Sequence, residues 1–537
     1  MDSQDPNSHP TETPSTGIGM AEPIYVAPKA GTEADTFVVP PADGTPPAPT
    51  QVEIPQIPTP TPDNPFIPSV QPQGAATAPA KGGGNPLIKI MAIVGGVIVL
   101  AVLAMVGMKL FSGSGSGGSG TTGTGLPSVG TTGKAVTIQY WGLWENDANF
   151  RQFLSDFETS HPKIKVQYTQ ESPKQYRERL QAAINRGEGP DVFRFHNTWI
   201  PMLRQQLASV PTTVMTPSQF SATFFPVINN DLIAGQTIFG IPIMIDGLGL
   251  YINEALFATA GASEPTTWTD VINLVPKLTV KNGTAIVTGA IALGTANNVE
   301  HMSDILALMF LQNGANLKNL SGKEAEGTLI FYRKFADPSD PLYTWSDGMD
   351  SSIPAFANGR VAMILAPSWR AHDIAQLNPK LRFHIIPVPQ LQGNNVAWAS
   401  YWVEGVSSKS KNQEAAWEFV KYMTSSEGAS KLYTEATKSR LFGEPYARMD
   451  MANTLANDPY AGAYEKQASF ARSFPLASRT GDNGLNDRLI QYLTDAVNNV
   501  SSGMSPSQAL VTLVQGFRQV FTSYNISTDT VEPTSAP

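Results

Sequence analysis

The sequence predicts an α/β fold over residues 135–525. Two observations carry it. Short apolar runs of strand length alternate there with amphipathic runs of helical period. The stretch is also long enough to bury one or two substantial cores. Alternation of this kind implies parallel sheets covered by helices. Val136–Tyr140 reads as the first strand. A helix follows over 148–160, with Phe150, Phe153, Leu154 and Phe157 on one face. Residues 164–168 are a strand, 176–184 a helix and 192–195 a strand. Thr267 is placed to cap a helix running to about Leu278, with Asp270 in the capping-box position. Further strands are expected over 289–293, 361–366 and 383–387, and a helix over 413–424.

The rest of the 537-residue chain is unlike this part. Residues 1–86 hold 19 of the 43 prolines, and two basic against nine acidic residues. Such a segment cannot bury enough apolar surface to offset its ordering entropy, so it is expected to be a disordered Pro-rich tail. Residues 90–108 read IMAIVGGVIVLAVLAMVGM, without a charge. Nineteen such residues are about the length of one bilayer crossing. Residues 87–111 are therefore expected to be an uncleaved signal anchor, a single transmembrane helix with Lys89 and Lys109 at its ends. Lys81 and Lys89 before it against Lys109 after it favour a cytoplasmic N-terminus. Residues 112–134 are a Gly/Ser-rich linker with a reach on the order of 25 Å. Residues 526–537 are expected to be a disordered C-terminal tail.

Composition excludes several functions. There is no cysteine, hence no disulfide, no thiolate metal site and no lipidated cysteine anchor. A net charge of -9 argues against a nucleic-acid partner, which would require a basic face. About -7 of it lies in residues 1–86. No metal, phosphate-cradling or nucleophile-elbow motif is present, so no cofactor and no metal are expected.

In parallel sheets ligands bind beyond the carboxyl ends of the strands. Three such loops are rich in aromatic and hydrogen-bonding side chains. They are Trp141–Asp147 with Trp144, Glu145 and Asn146, then His196-Asn197-Thr198-Trp199, and Pro367-Ser368-Trp369-Arg370. Asp246, Asn297, Asn298, Trp398, Tyr401 and Trp402 join the pool. A sugar ring has apolar C–H faces and a rim of hydroxyls, which aromatic faces and Asp, Glu, Asn or Arg side chains complement. Trp268 and Trp417 fall inside helical patterns and are assigned to the core. Glu145 and Asp246 could also form the two-carboxylate pair of a glycosidase.

Ordered motifs through this region carry a resemblance. They are Gly189-Pro190-Asp191 before a strand, IPIMIDGLGLYINEALFATAG (241–261), PTTWTD (265–270), AFANGRVAMILAPSW (355–369), VSSKSKNQEAAWEFVKYMTSSEG (406–428) and SSGMSPSQAL (501–510). The region resembles the extracellular solute-binding proteins of ABC importers, in the maltose-binding-protein-like family 1. The resemblance implies a two-lobe, type II periplasmic-binding-protein fold that closes on its ligand by a hinge. Lobe one would span about 135–243 and 390–433, and lobe two about 248–385 and 438–525. Hinge strands would lie near Met244–Asp246 and Pro387–Pro389. It implies binding rather than catalysis, a carbohydrate ligand, and ABC permease subunits as partners. The binding domain would lie outside the cytoplasmic membrane. By motif position the ligand-binding residues would be Trp144, Glu145, Asn146, His196, Asn197, Thr198, Asp246, Asn297, Asn298, Trp369, Trp402 and Arg479. Ala397–Trp402 replaces the family's usual Gly-rich stretch and is expected to put bulk near the cleft. A sensing or adhesion role without transport fits the same features.

Overall fold

In the computed structural model the described residues are 135–528, apart from 392 and 394. The tail, anchor and linker expected over 1–134, and most of the C-terminal tail, lie outside them. Among the described residues no helix is long and apolar enough to cross a membrane.

Two sheets organise these residues. The first contains β1 (Val136–Gly142), β2 (Ile164–Gln170), β3 (Val192–His196) and β9 (Trp402–Val406), in the order β9-β3-β1-β2. The second contains β4 (Gly249–Asn253), β5 (Val280–Asn282), β6 (Ala285–Ile291), β7 (Val361–Ala366) and β8 (Phe383–Ile386), in the order β8-β4-β7-β6-β5. The interior strands β3, β4 and β7 are buried at every position, as expected where helices cover both faces. The edge strand β2 has no fully buried residue.

The sheets are mixed rather than wholly parallel. β1 runs parallel to β2 and β3, and β6 parallel to β7. β9 is antiparallel to β3, and β4 is antiparallel to both β7 and β8. The cause is connectivity: β4 and β9 are entered from segments arriving from the neighbourhood of the other sheet. They do not follow a helix packed on their own sheet, the connection that keeps strands parallel.

The helices form where periodicity placed them. Asp147–Ser160 buries Phe150, Phe153 and Phe157. Trp268–Leu278 opens with the Thr267–Asp270 capping box complete in both directions. Trp268 and Trp417 are buried core residues. Helices Leu485–Ser501 and Pro506–Ser523 pack along each other and against Lys323–Lys334.

Three segments run side by side between the sheets. Ile241 bridges Glu404, Gly247 bridges Ala399 and Met244 bridges Tyr446. The Ser400 amide donates to the Asp246 carbonyl at 2.9 Å, and the Ile245 amide to the Pro445 carbonyl at 2.9 Å. Pro387–Pro389 lies on the second-sheet side, where Gln312 donates to the Pro389 carbonyl at 2.9 Å. The chain reaches the first sheet only through Ala397–Trp402. At the tightest approach a Cβ on Gly247 would stand 1.7 Å from the Trp398 carbonyl oxygen. Gly247→Ala must push two crossing backbones apart. It is expected to destabilise the protein by about 1–3 kcal/mol, read as a lowered midpoint in thermal or urea unfolding.

Candidate functional site

The loop after β1 is fastened by a buried ion cluster. Arg194 points inward from β3 and is fully buried. Its Nη1 donates to both Glu145 carboxylate oxygens at 2.7 and 2.8 Å, and its Nε donates to Glu404 of β9 at 2.7 Å. Burial alone would raise the Glu145 carboxyl, but the Arg194 guanidinium outweighs it and holds it below the usual range. Burial raises Glu404, against the pull of the same guanidinium. Glu145 is thus a structural counter-ion, and its neighbour Trp144 is left 41 % exposed.

Trp402 is the hub of an aromatic cluster beside it. Its ring meets Trp144 at 5.6 Å, His196 at 5.1 Å and Trp199 at 5.3 Å between centroids, each edge-on. His196 pairs with the Thr198 hydroxyl at 2.8 Å and the Ser400 hydroxyl at 3.1 Å. Burial pushes its imidazole down to about 3, so it is neutral near pH 7. Asn197 donates to Asp231 at 2.9 Å and accepts from the Tyr401 amide at 3.3 Å. Thr198 accepts from Asn486 at 2.9 Å. These three polar residues stabilise the turn under the aromatic cluster.

A second cluster stands at the carboxyl end of β7. Trp369 is 37 % exposed, with the Arg370 guanidinium 4.2 Å from its ring centroid and His301 edge-on at 5.8 Å. Arg370 donates to His301 at 3.1 Å and to Asp373 at 2.8 Å, and it pairs with Glu300. Arg479, in a left-handed conformation with φ 62°, reaches Glu300 at 3.1 Å. His301 also pairs with the Ser478 hydroxyl at 2.7 Å. Burial first, then Arg370 and Arg479, keep this imidazole well below its ordinary value.

Asp246 links the two clusters. One carboxylate oxygen accepts from the Gly247 amide at 2.8 Å and the Ser368 amide at 3.0 Å; the other accepts from the Ser368 hydroxyl at 2.9 Å. It holds the turn that presents Trp369, while its own carbonyl accepts from Ser400, the partner of His196. Burial raises the Asp246 carboxyl to about 7, against these hydrogen bonds.

The structure therefore divides the expected site residues. Trp144, Asn146, Asn297, Trp369 and Arg479 are exposed, and Trp402 partly so. Glu145, Asn197, Thr198 and Asp246 are engaged internally. So is Asn298, which accepts from the Trp345 indole at 3.0 Å and donates to the Ser346 and Met349 carbonyls at 2.9 and 3.0 Å. Trp398 and Tyr401 turn inward, Trp398 donating to Asp304 at 2.9 Å. The bulk of Ala397–Trp402 lies mostly beneath the surface. Sequence reasoning missed Arg194, Glu300 and His301. A lone arginine among the apolar residues of strand VFRFH was the available signal for the first.

The model of the bacterial extracellular solute-binding protein family matches residues 141–430, more than half of the chain. The chain belongs to this family. A multiple sugar-binding protein of Streptococcus mutans is 25 % identical over 314 residues, covering 56 % of this chain and 73 % of that relative. A cyclo/maltodextrin-binding protein solved with maltotetraose shares the fold with a TM-score of 0.58 at 18 % identity, over 73 % of this chain and 99 % of that one. A cyclic α-maltosyl-1,6-maltose binding protein of Arthrobacter globiformis shares it with a TM-score of 0.59 at 15 % identity, over 72 % of this chain and all of that one. The relatives are binding proteins by name. In this solute-binding protein Glu145 is clamped as a carboxylate by Arg194, and Asp246 accepts three hydrogen bonds.

Two stability measurements test the buried charges. Arg194→Met would strand two buried carboxylates and should cost about 3–5 kcal/mol in denaturant unfolding. Asp246→Asn keeps all three hydrogen bonds, since the amide oxygen accepts the two N–H groups and the amide nitrogen donates to the Ser368 hydroxyl. With its pKa raised, Asp246 makes the folded state bind more protons than the unfolded one between about 4 and about 7. Its contribution to stability therefore falls as pH rises through that window. Melting curves should show the gain of Asp246→Asn over the wild type growing from pH 4 to pH 7 and then levelling; a constant difference would refute this.

Proposed function

We propose that this solute-binding protein is a carbohydrate receptor that closes two α/β lobes on a neutral sugar or oligosaccharide and delivers it to an ABC permease. The observation that carries the reading is the pair of open aromatic faces at the two sheets, Trp144 with Trp402 and Trp369. The crossing segments and Asp246 connect them. Aromatic faces cover the apolar side of a pyranose, and Asn146, Asn297 and Arg479 offer partners for hydroxyls. The charges nearest these faces are largely compensated within the protein, Glu145 by Arg194 and Arg370 by Glu300 and Asp373. That favours an uncharged ligand. The sugar-binding names of the relatives support the same class.

The lobes of this proposal are about 135–243 with 390–433 and about 248–385 with 438–525. The crossing segments serve as hinge, and ligand shifts the population toward the closed form that a permease reads. Residues 87–111 anchor the receptor with its binding domain outside the cytoplasmic membrane. The linker lets it move above the membrane, and the tether keeps its local concentration near the permease high.

A thermal-shift screen of malto- and manno-oligosaccharides against the purified protein tests the ligand class, because a ligand that binds the folded state raises the melting temperature. Shifts with amino acids or polyamines and none with sugars would overturn it. Covering an aromatic face is worth about 1.5–3 kcal/mol. Trp369→Ala is therefore expected to weaken sugar binding roughly 10- to 100-fold while the free protein still unfolds cooperatively. Co-purification of permease subunits from membranes is the expected sign of transport, and their consistent absence would favour a sensing role.

A further inference from the structure

The chain contains four Asn-Gly pairs, at 282–283, 313–314, 358–359 and 483–484. Such a pair can react with itself in water, because glycine has no Cβ to keep its backbone nitrogen away from the asparagine side chain. Reaction needs two freedoms. The glycine N–H must be unbonded and open to water, and the asparagine amide must be able to swing onto it. Three of the pairs lack at least one. The Gly314 amide donates to the Leu311 carbonyl at 3.1 Å, and Asn313 donates to the Glu324 carbonyl at 2.8 Å. The Gly359 amide donates to the Phe356 carbonyl at 3.0 Å. The Gly484 amide donates to Asp482 at 3.0 Å, and Asn483 donates to Glu178 at 3.1 Å. The fourth pair has both freedoms. Asn282 ends β5 and pairs with Ala285, which begins β6, so Gly283 and Thr284 form the two-residue loop of a hairpin. Gly283 has φ 62°, as suits the first loop position of a type II′ hairpin turn. Residues 280–285 are all exposed, and among the described residues neither the Asn282 side chain nor the Gly283 N–H has a partner.

We propose that Asn282 is a site of spontaneous deamidation in the folded protein. The Gly283 nitrogen gives up its proton to water or hydroxide and attacks Asn282 Cγ. The new N–Cγ bond closes a five-membered succinimide. The Cγ–Nδ2 bond breaks, and the side-chain nitrogen takes up a proton and leaves as ammonia. Water then opens the ring. Breaking the new N–Cγ bond gives aspartate. Breaking the bond from the same nitrogen to the backbone carbonyl carbon gives isoaspartate, in which the chain runs through the former side chain. Nothing is oxidised or reduced: one ammonia is lost and one water gained. Both products place a negative charge beside Lys281, whose ammonium lies 5.0 Å from the Tyr343 ring centroid. Isoaspartate also lengthens the backbone by one carbon and breaks the Asn282–Ala285 register. Little else holds β5 there. It is an edge strand with all three residues exposed, and its register with β6 already shifts at Val280–Lys281. No residue placed in the candidate site lies on this hairpin, so deamidation here is independent of the carbohydrate reading.

Incubating the full-length protein at mildly alkaline pH in water labelled with heavy oxygen, followed by peptide mapping in a mass spectrometer, reads all four pairs at once. The same chain unfolded in guanidinium chloride supplies the intrinsic rate of each. In the folded protein the pair at 282 should take up label within about threefold of its unfolded rate, and the other three should fall at least about tenfold below theirs, since each must first open locally. Asn282→Gln, whose amide would have to close a larger ring, should abolish uptake at that position and leave the other three unchanged. An isoaspartyl methyltransferase should transfer methyl groups to aged wild type and not to aged Asn282→Gln. A pair at 282 slowed by folding as much as the other three would overturn the site. So would equal methylation of the two aged proteins.

Discussion

A buried arginine between two carboxylates is the constraint on which the first sheet and the loop after β1 depend. Arg194 joins β3 to β9 through Glu404 and to the loop after β1 through Glu145, so one guanidinium spans three non-contiguous stretches of chain. Desolvating three charges is costly, and their mutual attraction offsets the cost only where geometry is good and the remaining donors are used. Here Nε and Nη1 are occupied, and Nη2 lies 3.3 Å from the Tyr140 hydroxyl. Such a cluster adds little net stability compared with an apolar core of the same shape. What it fixes is position: Glu145 cannot leave Arg194 without giving up two charge-assisted hydrogen bonds, so Trp144 is held at a defined place beside Trp402.

Asp246 does for the second cluster what Arg194 does for the first. Among the described residues no cation pairs with it, and amide and hydroxyl donors hold it instead. Its burial therefore shows as a raised pKa, where that of Glu145 is masked by a counter-charge. The two devices meet along Asp246–Ser400–His196. The groups that orient the two aromatic faces are thus contiguous through the crossing segments.

Much of the fold was legible because its elements obey local rules. The Phe150–Phe157 face, the Thr267–Asp270 cap and the apolar run Val361–Ala366 each read out from spacing alone, and each lies where spacing put it. Strand direction was not legible. Whether β4 and β9 run with or against their neighbours depends on where the chain came from, and no local pattern encodes that. The site was half legible for a related reason. Residue type indicated that Glu145, Asp246 and Asn298 could bond a hydroxyl, but not that Arg194, Ser368 and Trp345 would reach them first. The open tryptophans were distinguishable from the buried ones where helical period assigned Trp268 and Trp417 to the core. Trp398 and Trp402, four residues apart on an irregular segment, had no such period to separate them.

The inward turn of the hydrogen-bonding residues bears on how such a receptor can change its ligand over evolutionary time. The residues that hold the loops in place are largely buried, and those that the proposed binding role would leave to meet a solute are largely exposed. Substitutions at exposed positions generally cost less stability than those at buried ones. On the proposed reading, the scaffold separates heritable drift in preference from the requirement to stay folded, because the residues that would choose the ligand are not those that hold the loops.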